Sequence, residues 1–157
     1  MRLLIVLAFL LIASPLAARP LELGLSLWSH HTNPDGCFDK VPGLVRCQDD
    51  TPGLYARSVR DGFDPVAGYY KNSVGRPTWY AGAVFTPWER DRIAFEVAVA
   101  AATGYPAADV VPLVMPALRV ELGRGWATTA GVLPRIGDAN PTWVIHFTLS
   151  KRFSIDH

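Results

Sequence analysis

Apolar and polar residues alternate along most of this chain with a period of two. The clearest stretches are Leu21–Trp28 and Ile93–Ala100, in which leucine, isoleucine, valine or phenylalanine is interleaved with small or polar residues. This period is typical of β-strands, whose successive side chains point to opposite faces. No segment after the first 18 residues keeps the 3.6-residue period of an amphipathic helix. The pattern therefore predicts an all-β fold.

Clusters of Gly, Pro, Asn, Asp and Ser divide the alternating pattern into eight segments, an even number. The first strand is expected to run for about ten residues from Leu21, and the others are Leu54–Arg60, Val66–Asn72, Thr78–Thr86, Ile93–Ala100, Val110–Glu121, Trp126–Leu133 and Trp143–Phe153. We read Pro87–Asp91 as a turn and Thr103–Asp109 as a loop.

The connections between these strands differ in length, and this difference indicates whether the protein lies in a membrane. Short turns fall on one rim of the predicted sheet and longer loops on the other, and the five tryptophans lie near strand ends. Both features are typical of an outer-membrane barrel with interfacial aromatic residues. We predict an eight-stranded antiparallel transmembrane β-barrel formed by residues 19–157. A soluble eight-stranded β-protein with an apolar core is the alternative.

The first 18 residues differ from the rest, because one arginine precedes a continuous apolar run and then Ser14–Ala18. This is the pattern of a secretory signal peptide. In an exported chain the two cysteines, Cys37 and Cys47, are expected to form a disulfide rather than a metal site. A formal net charge of +1 gives no electrostatic basis for nucleic-acid binding.

The sixth strand indicates what the interior of the barrel holds. Val111, Leu113 and Met115 share one face with Arg119 and Glu121. If that face points inward, the lumen is apolar in its upper half and charged near one rim, where ionised groups must be matched. The expected members of an ion-paired plug are Glu22, Glu96, Arg119, Glu121 and Arg152. Pro112 and Pro116 either bend this strand or open a lateral gap in the barrel wall.

Strand direction brings possible catalytic groups to the rim with long loops. The first strand delivers His30 and His31 there, and the third delivers Lys71, Asn72 and Ser73. Strict alternation places His30 on the inward face with Ser26 and Trp28. A histidine and a serine at one lumen mouth are suited to acyl transfer, although both are also ordinary loop residues. His146 lies on the expected lumen face, where we expect a hydrogen-bonded interior role.

Three short motifs resemble the PagP-type lipid A palmitoyltransferases, which are small outer-membrane barrels. They are Leu27-Trp28-Ser29-His30, Tyr70-Lys71-Asn72-Ser73, and Gly104-Tyr105 followed by Val111–Pro116. The resemblance implies transfer of a palmitoyl-type chain from a phospholipid to lipid A, with the chain held in the lumen. By matched position it implies Ser73 with His30, or with His31 because the Trp–His spacing is one residue longer here.

The family's acid is replaced by Asn72 in this chain, and Asp49 or Asp50 is a possible substitute for it. We expect Asn72 to orient its neighbours, Lys71 and Arg76 to meet lipid phosphates, and Val111, Leu113 and Met115 to line the acyl pocket. The predicted site needs no cofactor or metal, and the partners are membrane lipids of a Gram-negative outer membrane around a monomer. A non-enzymatic structural or surface-interaction barrel, and a soluble barrel that binds a lipophilic ligand, remain alternatives.

Overall fold

The computed structural model describes residues 19–43, 45–60, 62–135 and 142–154, and these form one closed antiparallel barrel. The predicted signal peptide and residues 136–141 lie outside the described residues. Each strand pairs with its neighbours in sequence, and β1 pairs with β8 to close the sheet. The strands are β1 (Leu21–His31), β2 (Gly53–Ser58), β3 (Asp64–Lys71), β4 (Pro77–Arg90), β5 (Ile93–Tyr105), β6 (Ala108–Gly123), β7 (Trp126–Leu133) and β8 (Val144–Phe153). The prediction of an eight-stranded antiparallel barrel is confirmed.

Two predicted connections are wrong in extent. Strand β4 continues through Pro87 to Arg90, so the turn to β5 consists only of Asp91 and Arg92. The β4–β5 pairing shifts register between Phe85 and Trp88, and this irregularity accommodates a proline that cannot donate a ladder hydrogen bond. The expected loop Thr103–Asp109 is a turn of two residues between β5 and β6. We call the end with the β1–β2 and β3–β4 connections the upper end and the opposite end the lower end.

The outward face of the barrel is apolar, whereas the interior carries buried polar and charged side chains together with an apolar part in its upper half. Glu22, Ser26 and Thr129 are buried, whereas Leu23 and Leu25 on the alternate positions of β1 are about half exposed. In strands of a closed barrel one face lines the interior and the other faces out, so the alternation predicted from the sequence places its apolar side outward. Among the described residues no helix is long and apolar enough to cross a membrane.

The lower half of the interior is filled by ion pairs. Arg119 donates two hydrogen bonds to the Glu22 carboxylate, at 2.9 and 2.8 Å, and also pairs with Glu121 at 3.0 Å. Arg57 donates to Asp64 and, at 2.8 Å, to Glu96. The predicted plug is therefore present. All five expected members take part, and Arg152 lies 3.8 Å from Glu22 and 3.5 Å from Glu121. Arg57 and Asp64 are two further members, which the sequence analysis did not include.

The wall of the barrel is interrupted beside the upper half of β6. Strand β6 pairs with β5 along its length, but its pairing with β7 covers only Ala117–Gly123. Pro112 and Pro116 occupy alternate positions, so their missing N–H groups fall on the same side of the strand. Since the β5 side is fully paired, that side faces β7. Among the described residues, Ala108–Pro116 has no partner strand there, which favours the lateral gap over a simple bend.

The buried ion pairs generate a prediction for stability. Replacement of Arg119 by methionine removes the partner of a fully buried Glu22 carboxylate, and we expect a loss of about 3–5 kcal/mol in the free energy of unfolding. The control is Arg90→Met, because the Arg90–Asp91 pair is exposed and should contribute under about 1 kcal/mol. Urea unfolding followed by tryptophan fluorescence measures both variants. Equal losses would contradict a structural role for the plug.

Candidate active site at the upper end of the barrel

A β-bulge in β1 decides which histidine faces the interior. Ser26 pairs with Thr148, but Trp28 pairs with Phe147, so Leu27 is an extra residue in the ladder. An extra residue reverses the alternation beyond it. Consequently Leu27 and Trp28 both face outward and Ser29 is buried. The expectation that His30 points inward is wrong: His30 is exposed and its ring lies 5.7 Å from that of Trp28.

The inward histidine is His31, and it joins a serine to a carboxylate. Its Nε2 lies 2.7 Å from Ser73 Oγ, and its Nδ1 lies 2.9 Å from Asp49 Oδ1. The His31 side chain is 1% exposed and the Asp49 side chain 29% exposed. With the carboxylate accepting the Nδ1 hydrogen, Nε2 is free to accept the hydroxyl hydrogen of Ser73. This is the geometry of a serine nucleophile, a histidine base and an orienting acid.

The loop that carries Asp49 is held against the barrel by covalent and backbone bonds. The predicted disulfide between Cys37 and Cys47 is present, with the two Cα atoms 5.1 Å apart. A 3₁₀ helix, Pro34–Lys40, contains the first cysteine, and the amide of Cys47 donates to the carbonyl of Pro34. The amide of Ser29 donates to the carbonyl of Asp49 at 2.9 Å. These bonds fix Asp49 beside β1, next to His31.

Asn72 shapes the turn that presents Ser73. Its side-chain oxygen accepts from the amides of Val74 and Arg76, and its Nδ2 donates to Thr78 Oγ1 and to the carbonyl of Gly104, both at 3.0 Å. The side chain is fully buried, and every bond it makes holds backbone or a neighbouring strand. Gly75 completes the turn with a φ of +80°, a conformation that favours glycine. Asn72 is thus a positioning residue, in agreement with the expected orienting role, and Asp49 is the acid that contacts His31.

The backbone of this turn also contacts the Asp49 loop. The amide of Gln48 donates to the carbonyl of Ser73 at 2.8 Å, and the amide of Lys71 donates to the carbonyl of Pro52. The two upper connections therefore support each other, and the Ser73–His31–Asp49 geometry does not depend on side-chain contacts alone.

A cavity of about 150 Å³ lies inside the barrel below Ser73. Val111, Leu113 and Met115 line it, as the pattern of β6 predicted. Its wall also includes polar groups, among them five tyrosines that the sequence analysis did not place there: Tyr55, Tyr69, Tyr70, Tyr80 and Tyr105. The hydroxyl groups of Tyr70 and Tyr105 are hydrogen-bonded to each other. Pro112 and Val114 also border the cavity, so it reaches the unpaired part of β6.

The two predicted phosphate contacts, Lys71 and Arg76, are exposed at the upper end, and neither borders the cavity. Over the described ranges no cluster of three or more His, Cys, Asp or Glu side chains could hold a metal ion. Asp50 is exposed, and of the two aspartates only Asp49 contacts His31.

Sequence reasoning missed one signal that would have chosen between the histidines. Leu27 and Trp28 are consecutive large apolar residues in an otherwise alternating strand, and two apolar neighbours mark a place where alternation fails.

Comparison of the chain with models of known protein families finds no match, and comparison with curated proteins finds none either.

The hydrogen bonds of Asn72 can be tested by an Asn72→Asp variant. A carboxylate has no N–H to donate, so the Gly104 carbonyl would face another acceptor, and we expect a loss of about 1–3 kcal/mol in the free energy of unfolding. Asn33→Asp is the control, because the Asn33 side chain is exposed and makes no capping bond. Urea unfolding distinguishes the two, and a neutral Asn72→Asp variant would contradict the positioning role.

Proposed function

We propose that this protein is a barrel of a Gram-negative outer membrane, with the upper end at the outer surface. The support is the distribution of exposed apolar residues. Exposed leucines and valines such as Leu25, Val99 and Val114 lie within the strands, and the exposed tryptophans lie towards both ends of the barrel. Trp79 and Trp88 lie nine residues apart in β4. At about 3.3 Å per residue and a tilt near 40°, they are separated by roughly 23 Å along the axis. That height matches the apolar band of such barrels, about 25 Å.

The proposed location is tested by fractionation of cells that express the full chain. We expect the protein in the outer-membrane fraction, soluble only after detergent is added, because its exposed apolar wall would otherwise contact water. Immunoblotting of periplasmic, inner-membrane and outer-membrane fractions measures this. Recovery from the periplasm without detergent would support the soluble lipid-binding alternative instead.

The function we propose is acyl transfer, in which a palmitoyl-type chain moves from a phospholipid to lipid A. The observation that carries it is the Ser73–His31–Asp49 arrangement directly above the cavity inside the barrel. The three parts act together, because the hydroxyl group reacts with an ester, the imidazole moves the proton, and the cavity receives the carbons next to the ester. The disulfide and the turn at Asn72 provide the rigid support that such an arrangement requires.

The reaction can be written with Ser73 as the nucleophile. Ser73 Oγ attacks the carbonyl carbon of the donor ester while His31 Nε2 accepts the hydroxyl hydrogen. The ester bond to the donor then breaks, and His31 returns the proton to the departing alcohol oxygen. An acceptor hydroxyl attacks the acyl-serine ester and gives its hydrogen to His31, which restores the Ser73 hydroxyl. Asp49 orients the imidazole and stabilises its charged form in both halves.

The wall and rim of the barrel supply a route for the lipids. The upper part of β6, which has no β7 partner among the described residues, borders the cavity, so an acyl chain from the surrounding lipid can enter sideways through this gap. The plug at the lower end blocks passage through the barrel. Lys71 and Arg76 are exposed at the upper end, which supports a role in binding lipid phosphate groups, with which lysine and arginine form charge-assisted bonds.

Matched pairs of variants test the catalytic arrangement. Mass spectrometry of lipid A, from cells with and without the gene, should show an added acyl chain that is lost with Ser73→Ala. His31→Asn and Asp49→Asn should reduce the rate about 10²- to 10⁴-fold, because the first removes the base and the second its orienting charge. His30→Asn and Asp50→Asn are the controls, since neither side chain contacts Ser73 or His31, and both should retain activity.

The same measurements separate the alternatives. An unmodified lipid A in every strain would contradict acyl transfer and would favour the non-enzymatic structural or surface-interaction barrel. In that case the Ser73→Ala substitution leaves the function of the protein unchanged, while loss of Cys37 or Cys47 still alters the loop that they close. Free fatty acid in place of acylated lipid A would indicate that water is the acceptor in the same two-step reaction.

A further inference from the structure

A chain of hydrogen-bonded side chains lies in the cavity, apart from the groups that act on the ester. His146 Nε2 lies 2.8 Å from Ser26 Oγ, and His146 Nδ1 lies 2.9 Å from Ser29 Oγ. Ser29 Oγ also lies 2.8 Å from Thr51 Oγ1. We call these four residues, Ser26, Ser29, Thr51 and His146, the hydroxyl chain. All four border the cavity.

The hydroxyl chain contains one more hydrogen than it uses. A neutral imidazole carries one N–H, and the three hydroxyl groups each carry one O–H, which gives four hydrogens in all. Only three hydrogen bonds join the four residues. Whichever way those bonds run, one hydroxyl hydrogen is left, and no hydrogen bond found among the described residues uses it. Because a buried donor without an acceptor is costly, the surplus hydrogen favours an acceptor inside the cavity.

The register places the hydroxyl chain just below the catalytic groups. His146 pairs with Ser29, and Val144 pairs with His31, so His146 lies two residues below His31 along β8. Two residues correspond to roughly 7 Å along a strand. An acyl chain whose ester carbonyl lies at Ser73 therefore has its first few carbons beside the hydroxyl chain. Val111, Leu113 and Met115 provide an apolar wall for the remainder.

From this arrangement we infer that the cavity recognises an acyl chain with a hydroxyl group near its carboxyl end, such as a 3-hydroxyacyl chain, in preference to a plain one. The oxygen of that hydroxyl accepts the surplus hydrogen of the hydroxyl chain, and its own hydrogen is donated to the carbonyl oxygen of the same acyl chain, which a 3-hydroxyl group reaches by closing a six-membered ring. This inference rests on the proposed function, since it requires the acyl chain to enter the cavity with its ester at Ser73. It refines that function by changing the class of chain from a plain palmitoyl type to a hydroxylated one.

The inference is tested by binding, so that it does not depend on turnover. The full mature chain carrying Ser73→Ala, in detergent micelles, is titrated by calorimetry with octadecanoic, 3-hydroxyoctadecanoic and 12-hydroxyoctadecanoic acids. We expect the 3-hydroxy acid to bind about 3- to 10-fold more tightly than the plain acid, the effect of one neutral hydrogen bond. The 12-hydroxy acid should show no such gain, because its hydroxyl group lies far from the carboxyl end.

Two further variants in the Ser73→Ala background assign the effect to the hydroxyl chain. Removing one end of the hydroxyl chain takes away one hydrogen and one hydrogen bond together, so the surplus disappears only when all four side chains are replaced, by Ser26→Ala, Ser29→Ala, Thr51→Val and His146→Phe. We expect the ratio of the 3-hydroxy acid affinity to the plain acid affinity to fall towards one in this variant, and its binding of octadecanoic acid checks that the cavity is retained. Thr128→Val is the matched control: Thr128 lies on the outward face of β7 and bonds the Thr148 carbonyl, so the ratio should persist. Its outward side chain cannot contact a chain in the cavity.

The outcomes separate this inference from the proposed function. Equal affinity for the plain and 3-hydroxy acids, a gain equal to that of the 12-hydroxy acid, or binding of neither acid would overturn the inference. Acylated lipid A in the cellular assay, together with equal affinities, would leave the proposed function standing without it. Preferential binding of the 3-hydroxy acid with an unmodified lipid A would support the hydroxylated ligand and contradict the transfer reaction.

Discussion

The interior of a closed eight-stranded sheet is only wide enough to be filled by side chains or to hold one small ligand, and this limit governs the structure. In the lower half the filling is ionic. Three arginines and four carboxylates pair there, and the buried charges are tolerated because each has a partner of opposite sign. In the upper half valine, leucine, methionine and tyrosine side chains stop short of filling the space. The cavity is therefore bounded below by matched charges and above by the Ser73–His31–Asp49 arrangement.

The strands were predictable because burial follows their alternation directly. Period two predicted a strand from Leu21 and another over Val110–Glu121, and the structure has them as Leu21–His31 and Ala108–Gly123. The inward positions of Val111, Leu113 and Met115 follow because β6 keeps that period. The bulge at Leu27 was not predicted, because counting alternate residues assumes that every residue has one partner. One extra residue exchanges the inward and outward faces for all later residues of the strand, so the unrecognised bulge at Leu27 led to the wrong orientation for His30.

The partner of His31 was less accessible to sequence reasoning, for a different reason. Asp49 and Asp50 are identical neighbours in a loop without periodicity, so nothing local distinguishes them. The choice is made by contacts between distant parts of the chain: the disulfide, and the amide of Ser29 on the Asp49 carbonyl. Asn72 shows the converse. It was expected to orient its neighbours, and its four hydrogen bonds hold the turn and neighbouring groups on β4 and β5. A residue adjacent in sequence to a nucleophile often supports it without contacting the reacting atoms.

The plug and the break in the wall also depend on each other. A barrel with an interrupted ladder beside β6 loses hydrogen bonds that would otherwise resist opening, so its stability must come from elsewhere. The ion pairs at the lower end join residues of β1, β2, β3, β5, β6 and β8, and thus connect the sheet across its interior below the break. The bonds that Asn72 makes to Thr78 and Gly104 do the same for β3, β4 and β5 above it. Among the described residues, the unpaired part of β6 therefore lies above the plug and extends from the upper rim to the level of the cavity, where the proposed acyl transfer requires a route of entry.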